Sequence, residues 1–260
     1  MIYRIYQPQP QLAPIIEHYW YSKIDLKQSL LQQYPTPVLQ GMTFNFKKLK
    51  ERHNLGNRDL VLDKQVYVFG QPAGYRNVQT SEQGIEIIGV KFRPLGIARI
   101  TGINMRDIAD NILPAEDIWG REIELLSDEM QSSDDIEKSI NALENFLLKK
   151  YHKISLHYRA HEVDHVLELL TASQGSIRMT ELQQATNITR KTMERSFYNY
   201  LGMSPKRYAQ IIRFNAAKSM IEQNPKIQYA EIAYQLGYFD HSHFISEFRR
   251  FSGVTPGMMR

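Results

Sequence analysis

The chain has 260 residues, which is long for a single hydrophobic core and sufficient for two modest domains. Apolar residues make up 42% and charged residues 23%, as in ordinary globular proteins, so extended disorder is not expected. Cysteine is absent, which excludes disulfides, thiolate metal sites and cysteine nucleophiles.

Neither a signal peptide nor a transmembrane helix is predicted. The N-terminus lacks a basic segment followed by an apolar one, and no apolar run approaches about 18 residues. We therefore expect a cytoplasmic protein without a membrane partner.

The net charge of +4 is distributed unevenly. From Gln174 to the C-terminus there are 12 Lys and Arg against 6 Asp and Glu, whereas the remainder has 20 against 22. A basic C-terminal third on a near-neutral body favours a polyanionic partner.

Alternating apolar and polar residues predict β-strands in the first hundred residues. Residues 42–48 (MTFNFKK) and 87–94 (IIGVKFRP) alternate with the period of two that a half-buried strand requires. Residues 65–75 form a further β-rich run that Gly and Pro close. These runs predict a small antiparallel β barrel or sandwich of cupin-like type. Its aromatic residues include Phe44, Phe46, Tyr67 and Phe69. They could line a ligand site or form a plain core, so no effector-binding residue is assigned.

After Pro94 the apolar spacing becomes helical. One helix of about four turns carries an apolar stripe of Ile136, Ile140, Leu143 and Leu147. The stripe has two interpretations: it packs on the chain's own sheets, or it pairs with its counterpart in a homodimer.

Residues 149–160 are polar and without clear period, which predicts an inter-domain linker. The expected fold is therefore α+β with two domains. Residues 1–155 would form a β-rich sensor or dimerisation domain with trailing helices. Residues 156–260 would form an all-α domain.

Residues 161–165, HEVDH, match H-E-x-x-H, in which two histidines one helical turn apart bind zinc and a glutamate activates water. A zinc peptidase needs a third ligand, and Glu168 on the same helix is too close to complete an open tetrahedral site. His161 and His165 fall away from the apolar face of their helix. We expect solvated histidines, with a metal-dependent enzyme built on His161, Glu162 and His165 as a remote alternative.

A metal-dependent enzyme in the N-terminal sheets is a second enzymatic alternative. Such a site needs clustered His and Glu on facing strands, and the strand region offers only His18 and His53, far apart in sequence. Neither a metal nor a cofactor is expected, and the chain is not predicted to be an enzyme.

Residues 179–202 predict a first helix-turn-helix unit. Thr180, with Gln183 three residues later, is the expected start of a short helix, and Asn187 suits the left-handed conformation at its end. Thr189 is the expected N-cap of the second helix. This helix has an apolar inner stripe of Met193, Phe197 and Leu201 and an outer face with Lys191, Glu194, Arg195 and Tyr198.

Residues 228–253 predict a second unit, with Gly237 in the turn and Asp240 as N-cap of the last helix. Between the units, Ser204 caps a helix that has Pro205 at its first position. That helix is apolar on more than one face, as expected where one helix packs against both units. The last helix has an inner stripe of Phe244, Phe248 and Phe251 and an outer face with His241, Ser242, Ser246 and Arg249.

The C-terminal hundred residues resemble a known module. Residues 237–260 (GYFDHSHFISEFRRFSGVTPGMMR) resemble the C-terminal signature of the AraC/XylS family of bacterial transcription factors, and residues 190–214 resemble that family's first unit. Residues 12–20 and 87–120 are similar to a sensor-domain subgroup found ahead of this module. Two positions depart from the family pattern: Gln183 replaces a small residue and Asn187 replaces glycine.

The resemblance implies that the second helix of each unit enters the major groove, whose edges distinguish all four base pairs. The joining helix, about 30 Å long at about 1.5 Å per residue, nearly matches the roughly 34 Å between successive major grooves on one face of DNA. The predicted base contacts are Lys191, Glu194, Arg195, His241, Ser242 and Ser246. The predicted phosphate contacts are Arg190, Lys206, Arg249 and Arg250.

The expected function is sequence-specific transcription regulation, modulated by a small effector bound to the N-terminal domain. The alternative is a ligand-independent DNA-binding regulator whose N-terminal half serves dimerisation or protein contact. Expected partners are double-stranded DNA, a second copy of the chain in a homodimer, and RNA polymerase. The sequence identifies neither the effector nor the operator, nor the sign of regulation.

Overall fold

The N-terminal half is built on two antiparallel β-sheets. The computed structural model describes residues 1–25, 29–34, 40–47, 50–55, 58–80, 84–155 and 161–259. Its strands are β1 (Ile2–Tyr6), β2 (Ile16–Ile24), β3 (Leu30–Tyr34), β4 (Gln40–Asn45), β5 (Glu51–Leu55), β6 (Arg58–Leu62), β7 (Val66–Phe69), β8 (Arg76–Thr80), β9 (Ile85–Phe92) and β10 (Ile112–Pro114). Sheet 1 has the order β1-β2-β9-β4-β7-β10, and sheet 2 has the order β3-β8-β5-β6. The predicted sheet-rich N-terminal domain is confirmed.

Helices follow the sheets and fill the C-terminal part. They are α1 (Gly96–Thr101), α2 (Glu116–Trp119), α3 (Arg121–Gln131), α4 (Ile136–Ser155), α5 (His161–Ala172), α6 (Met179–Thr186), α7 (Arg190–Leu201), α8 (Pro205–Gln223), α9 (Tyr229–Gln235), α10 (His241–Ser252) and a 3₁₀ helix (Pro256–Met259). Among residues 161–259 there is no strand, as predicted. None of the described helices combines the length and apolar character needed to span a bilayer.

Sheet 1 buries its two faces against different partners. Phe44 on β4 packs with the core that the sheet forms with α1, α3 and α4, and Phe46 packs against the same core. Tyr67 and Phe69 on β7 instead contact Leu62 of sheet 2. Successive residues of a strand point to opposite faces, which explains the division. Of the four aromatic residues considered for the interior, only the pair on β7 lies between the sheets.

The apolar stripe of α4 packs within its own chain. Ile140, Leu143 and Leu147 are buried in the core beneath sheet 1, and Ile136 packs against the same core. The intramolecular interpretation of the stripe is therefore correct, and the interpretation as a dimer contact is wrong, because the stripe is already covered.

Replacing both Ile140 and Leu143 by Asp is expected to unfold the N-terminal half rather than to give a folded monomer. Two buried carboxylates in an apolar core cost more than the roughly 2–5 kcal/mol typical of each large-to-small change. A thermal melt followed by circular dichroism measures the loss. Leu125→Asp on α3 is the control, since Leu125 is 58% exposed. A double variant that melts like the wild type and sediments as a monomer would return the stripe to a dimer interface.

The prediction of a linker over residues 149–160 is wrong for its first part. Helix α4 continues to Ser155, so residues 149–155 are helical, and residues 156–160 lie outside the described residues. Contacts with the N-terminal half, which the polar composition does not indicate, accompany this end of the helix. Tyr151 packs against the N-terminal core, and Lys150 Nζ lies 2.7 Å from Glu122 Oε2.

The helical part has one core with α8 at its centre. Tyr208, Phe214 and Ile221 of α8 are buried among residues from both predicted helix-turn-helix units, which explains why α8 is apolar on several faces. Phe214 makes edge contact with Phe248 of α10 at 5.0 Å between ring centroids. Such aromatic pairs add about 0.5–1.5 kcal/mol beyond the burial of their area.

Candidate nucleic-acid interface

Helix α7 exposes the face that the sequence predicted. Thr189 caps it by accepting from the backbone N–H of Thr192 at 3.2 Å, and Asn187 precedes it in the left-handed conformation, with φ of 54°. Met193, Phe197 and Leu201 are buried. Lys191 and Arg195 are exposed.

One predicted base contact is engaged in the free chain. Glu194 Oε1 accepts from Arg190 Nε at 2.9 Å, and both side chains remain substantially exposed. An exposed pair one helical turn apart contributes only about 0.3–0.5 kcal/mol, so it separates at little cost.

Helix α6 of the first unit begins one residue earlier than predicted. It starts at Met179, and the carboxylate of Glu181 accepts from the backbone N–H of Arg178 at 3.1 Å. The expected start at Thr180 with Gln183 is therefore wrong, because Glu181 satisfies the first free backbone donor.

Helix α10 presents a continuous polar face. Asp240 caps it, accepting from the backbone N–H of His243 at 2.7 Å, and Gly237 has the positive φ of 68° that the turn requires. Phe244, Phe248 and Phe251 are buried, as predicted. The exposed residues of the opposite face are His241, Ser242, Ser246, Arg249 and Arg250.

A buried charge cluster, which the sequence analysis missed, fixes α10 on α8. Glu247 of α10 is 5% exposed, and its carboxylate accepts from both Arg213 Nη2, at 2.8 and 3.0 Å, and Gln210 Nε2, at 2.9 Å. The Arg213 guanidinium lies 4.2 Å from the ring centroid of Tyr238, and burial together with Glu247 raises the pKa of that tyrosine. The cluster holds α10 at one angle to α8. One sequence feature could have indicated this cluster: Glu247 is a charged residue within the apolar stripe of Phe244, Phe248 and Phe251.

Two exposed aromatic side chains flank the same region. Tyr234 of α9 is 88% exposed, and Phe239, which directly precedes the cap of α10, is 91% exposed. Tyr234 lines a surface groove that runs between the two units together with Arg190, Glu194 and Lys206. The groove thus brings together Arg190, Glu194 and Lys206, which were predicted as DNA contacts. The sequence analysis did not identify Tyr234 or Phe239.

Comparison with known proteins agrees with this arrangement. Residues 182–260 match a family described as a helix-turn-helix domain, and residues 4–114 match a domain of unknown function, DUF6597. The regulator ArgR of Pseudomonas aeruginosa is 36% identical over 76 residues, covering 29% of this chain and 23% of ArgR. YbfI of Bacillus subtilis, an uncharacterised helix-turn-helix regulator, is 30% identical over 124 residues, covering 46% of this chain and 44% of YbfI. The chain thus spans less than half the length of these curated relatives.

Among solved structures, ToxT from Vibrio cholerae superposes with a TM-score of 0.50 at 12% identity, covering 92% of this chain and 96% of ToxT. This likeness shows a shared two-domain fold. The chain carries an AraC-type helix-turn-helix domain at its C-terminus. The domain type predicted from the C-terminal motifs is confirmed.

The N-terminal half contacts α7 of this AraC-type domain. The backbone N–H of Met105 donates to the carbonyl of Asn199 at 2.8 Å, and the Arg106 guanidinium lies 5.3 Å from the ring centroid of Tyr198. Tyr198 belongs to the predicted outer face of α7. That end of the first unit is therefore partly occupied by the N-terminal half.

The N-terminal half also contacts α8 and α10. Arg207 of α8 donates to the carbonyl of Ala73, in the segment between β7 and β8, and lies 4.5 Å from the ring centroid of Phe251. Burial and the neighbouring Arg250 lower the pKa of Arg207. Tyr75 of the same segment lines a surface groove along α10 with His241, Ser242, Ser246 and Arg249.

The histidines of the H-E-x-x-H segment lie on the surface of α5. His161 and His165 are exposed, and Asp164 between them forms an ion pair with Arg99 of α1. The described part of the chain contains no group of three or more His, Asp or Glu placed to hold a metal ion. In the sheets, His18 and His53 belong to different sheets, on β2 and β5.

His161→Ala is expected to leave DNA affinity and the melting temperature unchanged, because substitutions of exposed side chains usually change stability by less than about 0.5 kcal/mol. Fluorescence anisotropy with labelled DNA and a thermal melt, each with and without added zinc, measure both quantities. A zinc-dependent shift that His161→Ala removes would restore a metal role for this helix.

Proposed function

We propose that the chain is a sequence-specific DNA-binding transcription regulator that places α7 and α10 in successive major grooves. The observation that carries the proposal is that α7 and α10, two capped helices with basic, exposed faces, both pack against the single helix α8. With 19 residues at about 1.5 Å each, α8 is about 28 Å long, close to the roughly 34 Å repeat of B-DNA. One chain can then contact two groove segments on one face of the duplex.

The outer face of α7 is the proposed reader of the first segment. Arg195 suits bidentate pairing with guanine, Glu194 suits acceptance from the cytosine amino group, and Lys191 suits guanine acceptors. Arg190 would leave Glu194 and turn to a phosphate, which frees the carboxylate for a base edge. Lys206, at the start of α8, is placed for a phosphate on the same side.

The outer face of α10 is the proposed reader of the second segment. His241 and Ser242 lie in the first turn, and the N-terminal turns of a recognition helix approach base edges. Ser246 lies one turn later. Arg249 and Arg250 lie at the far end, where the helix leaves the groove and meets the sugar-phosphate backbone, so they position the protein without reading sequence.

A small effector bound to the N-terminal half is proposed to modulate DNA binding. The contacts of Met105 with α7, and of Ala73 and Tyr75 with α8 and α10, offer a physical route for that modulation. A ligand that prefers one arrangement of this contact shifts the population toward it. Tyr75 borders the face of α10 that would read bases, so its displacement would change access to that face.

The alternative is a regulator without an effector, whose N-terminal half dimerises or contacts another protein. For both versions of the regulator, we also propose that it forms a homodimer, contacts RNA polymerase and acts in the cytoplasm. An effector-dependent regulator changes its DNA affinity with an added small molecule, whereas the alternative predicts the same affinity throughout.

DNA from the intergenic region beside the gene, compared with random DNA of equal length, tests the proposal. Fluorescence anisotropy with the full chain should give affinities that differ by at least about 10³-fold, as for specific binders. Both affinities should fall with added salt as phosphate contacts are screened. Equal affinity for all sequences would reduce the function to non-specific binding, and no binding to any DNA would overturn it.

A further inference from the structure

A large apolar side chain stands in solvent where α10 begins. Phe239 directly precedes the N-cap Asp240, and it is 91% exposed. A packed aromatic side chain removes about 150–250 Å² of surface from water, so this ring contributes almost nothing to the core. Single exposed apolar residues are common on protein surfaces, so the position of Phe239 decides what it can do.

The usual local role of an apolar residue before an N-cap is already filled. Such a residue often packs against the fourth helical residue, here Phe244, and fixes how the chain enters the helix. In this chain Tyr238 makes that contact, edge-on and with 5.4 Å between the two ring centroids. Tyr238 is 7% exposed and Phe244 is fully buried. Phe239 is therefore not needed to hold the start of α10.

The backbone of Phe239 is nevertheless held in place. Its N–H donates to Nδ1 of His243 at 3.4 Å, and the next residue, Asp240, accepts from the N–H of His243 at 2.7 Å. Buried Tyr238 anchors the chain on the other side. The exposed ring is thus carried on a fixed backbone, directly before the first turn of α10. A group held in this way loses little conformational entropy when it contacts a partner.

One feature of the major groove matches an uncharged phenyl ring. The edges of the base pairs present hydrogen-bond donors and acceptors, except for the C5-methyl group of thymine, which is apolar. A phenyl ring has no N–H or O–H and no charge, so it suits neither the polar edges nor the phosphates. His241 and Ser242, which follow the N-cap, are the residues proposed above to approach base edges. Phe239 precedes them in the chain and suits the methyl group.

We propose that Phe239 contacts the C5-methyl group of a thymine in the groove segment read by α10. It selects thymine at one position by apolar contact, whereas the polar residues of α10 select bases by hydrogen bonds. The affinity comes from removing the methyl group and part of the ring from water. The inference rests on the proposed DNA-binding function and adds to it a specificity residue that lies before the helix.

Replacing thymine by deoxyuridine tests the contact, because the exchange removes only the methyl group. The probe is the intergenic fragment, with each thymine of the two protected segments replaced singly and binding by the full chain measured by fluorescence anisotropy. At one or two positions the wild type should bind about fourfold more weakly, the change expected for one buried methyl group. Phe239→Ala should bind the thymine fragment at least about fourfold more weakly and should no longer distinguish the two bases at those positions.

Two further variants separate apolar contact from other effects. Phe239→Leu keeps an apolar side chain and should retain a preference for thymine. Tyr3→Ala is the matched control, since Tyr3 is an aromatic residue of β1 that is 53% exposed and lies in the N-terminal half. It should leave both the affinity and the preference as in the wild type. In a thermal melt Phe239→Ala should match the wild type, because it removes an exposed side chain.

Four results would overturn the inference. They are a wild type indifferent to every thymine replacement, a Phe239→Ala variant that keeps the thymine preference, a Phe239→Leu variant that loses it, and a clearly lowered melting temperature for Phe239→Ala. Equal losses by Phe239→Ala on both bases, with the wild-type preference kept, would instead make the ring a wedge between base steps. Specific binding without any effect of the methyl group sinks this inference alone, whereas equal affinity for all DNA sinks the proposed function with it.

Discussion

Glu247→Ala is expected to destabilise the C-terminal domain by about 3–5 kcal/mol, the cost of breaking a buried ion pair by removing one partner. The change leaves the Arg213 guanidinium buried without its bidentate acceptor and removes the bond from Gln210. Because the cluster joins α10 to α8, DNA binding should be lost together with stability. Urea unfolding followed by circular dichroism measures the effect.

Glu222→Ala is the control for Glu247→Ala. Glu222 is an exposed glutamate of α8 whose carboxylate lies 3.5 Å from Lys218 Nζ, and exposed pairs contribute only about 0–1 kcal/mol. Equal, small losses for both variants would mean that the cluster does not hold the second unit together.

Arg195→Ala and Arg249→Ala are expected to separate sequence reading from backbone contact. Arg195→Ala should cost about 1–3 kcal/mol at the cognate site and relax preference at one or two base pairs. Arg249→Ala should weaken cognate and random DNA about equally and reduce the salt slope by about one unit. A salt series of binding constants on both DNAs measures the two effects.

Two outcomes would contradict the roles proposed for Arg195 and Arg249. If Arg195→Ala loses the same factor on random DNA as on cognate DNA, α7 is not a base-reading helix. If Arg249→Ala changes preference between sequences, the proposed position of the far end of α10 is wrong.

The sequence predicted local features of the C-terminal domain well. Thr189, Ser204 and Asp240 were expected to cap α7, α8 and α10, and each accepts the expected backbone hydrogen bond. Apolar stripes of period 3.6 located the buried faces in the same way. Both signals are carried by residues within one or two turns of each other, so no tertiary information is needed to interpret them.

Features that join distant segments could not be predicted from the sequence. The Arg213–Glu247 pair joins two helices and is 34 residues apart in the chain. The contact of Arg207 with Ala73 spans 134 residues. Arg76 and His53 become neighbours only through the pairing of β8 with β5. No periodicity records these distances, since they depend on how whole elements pack.

Hydroxyl-radical footprinting of the full chain on its operator tests whether one chain reads two successive major grooves. We expect two protected segments on one face of the duplex, with centres about 10 base pairs apart, because α8 sets the separation of α7 and α10. A single protected segment, or two segments on opposite faces, would contradict it.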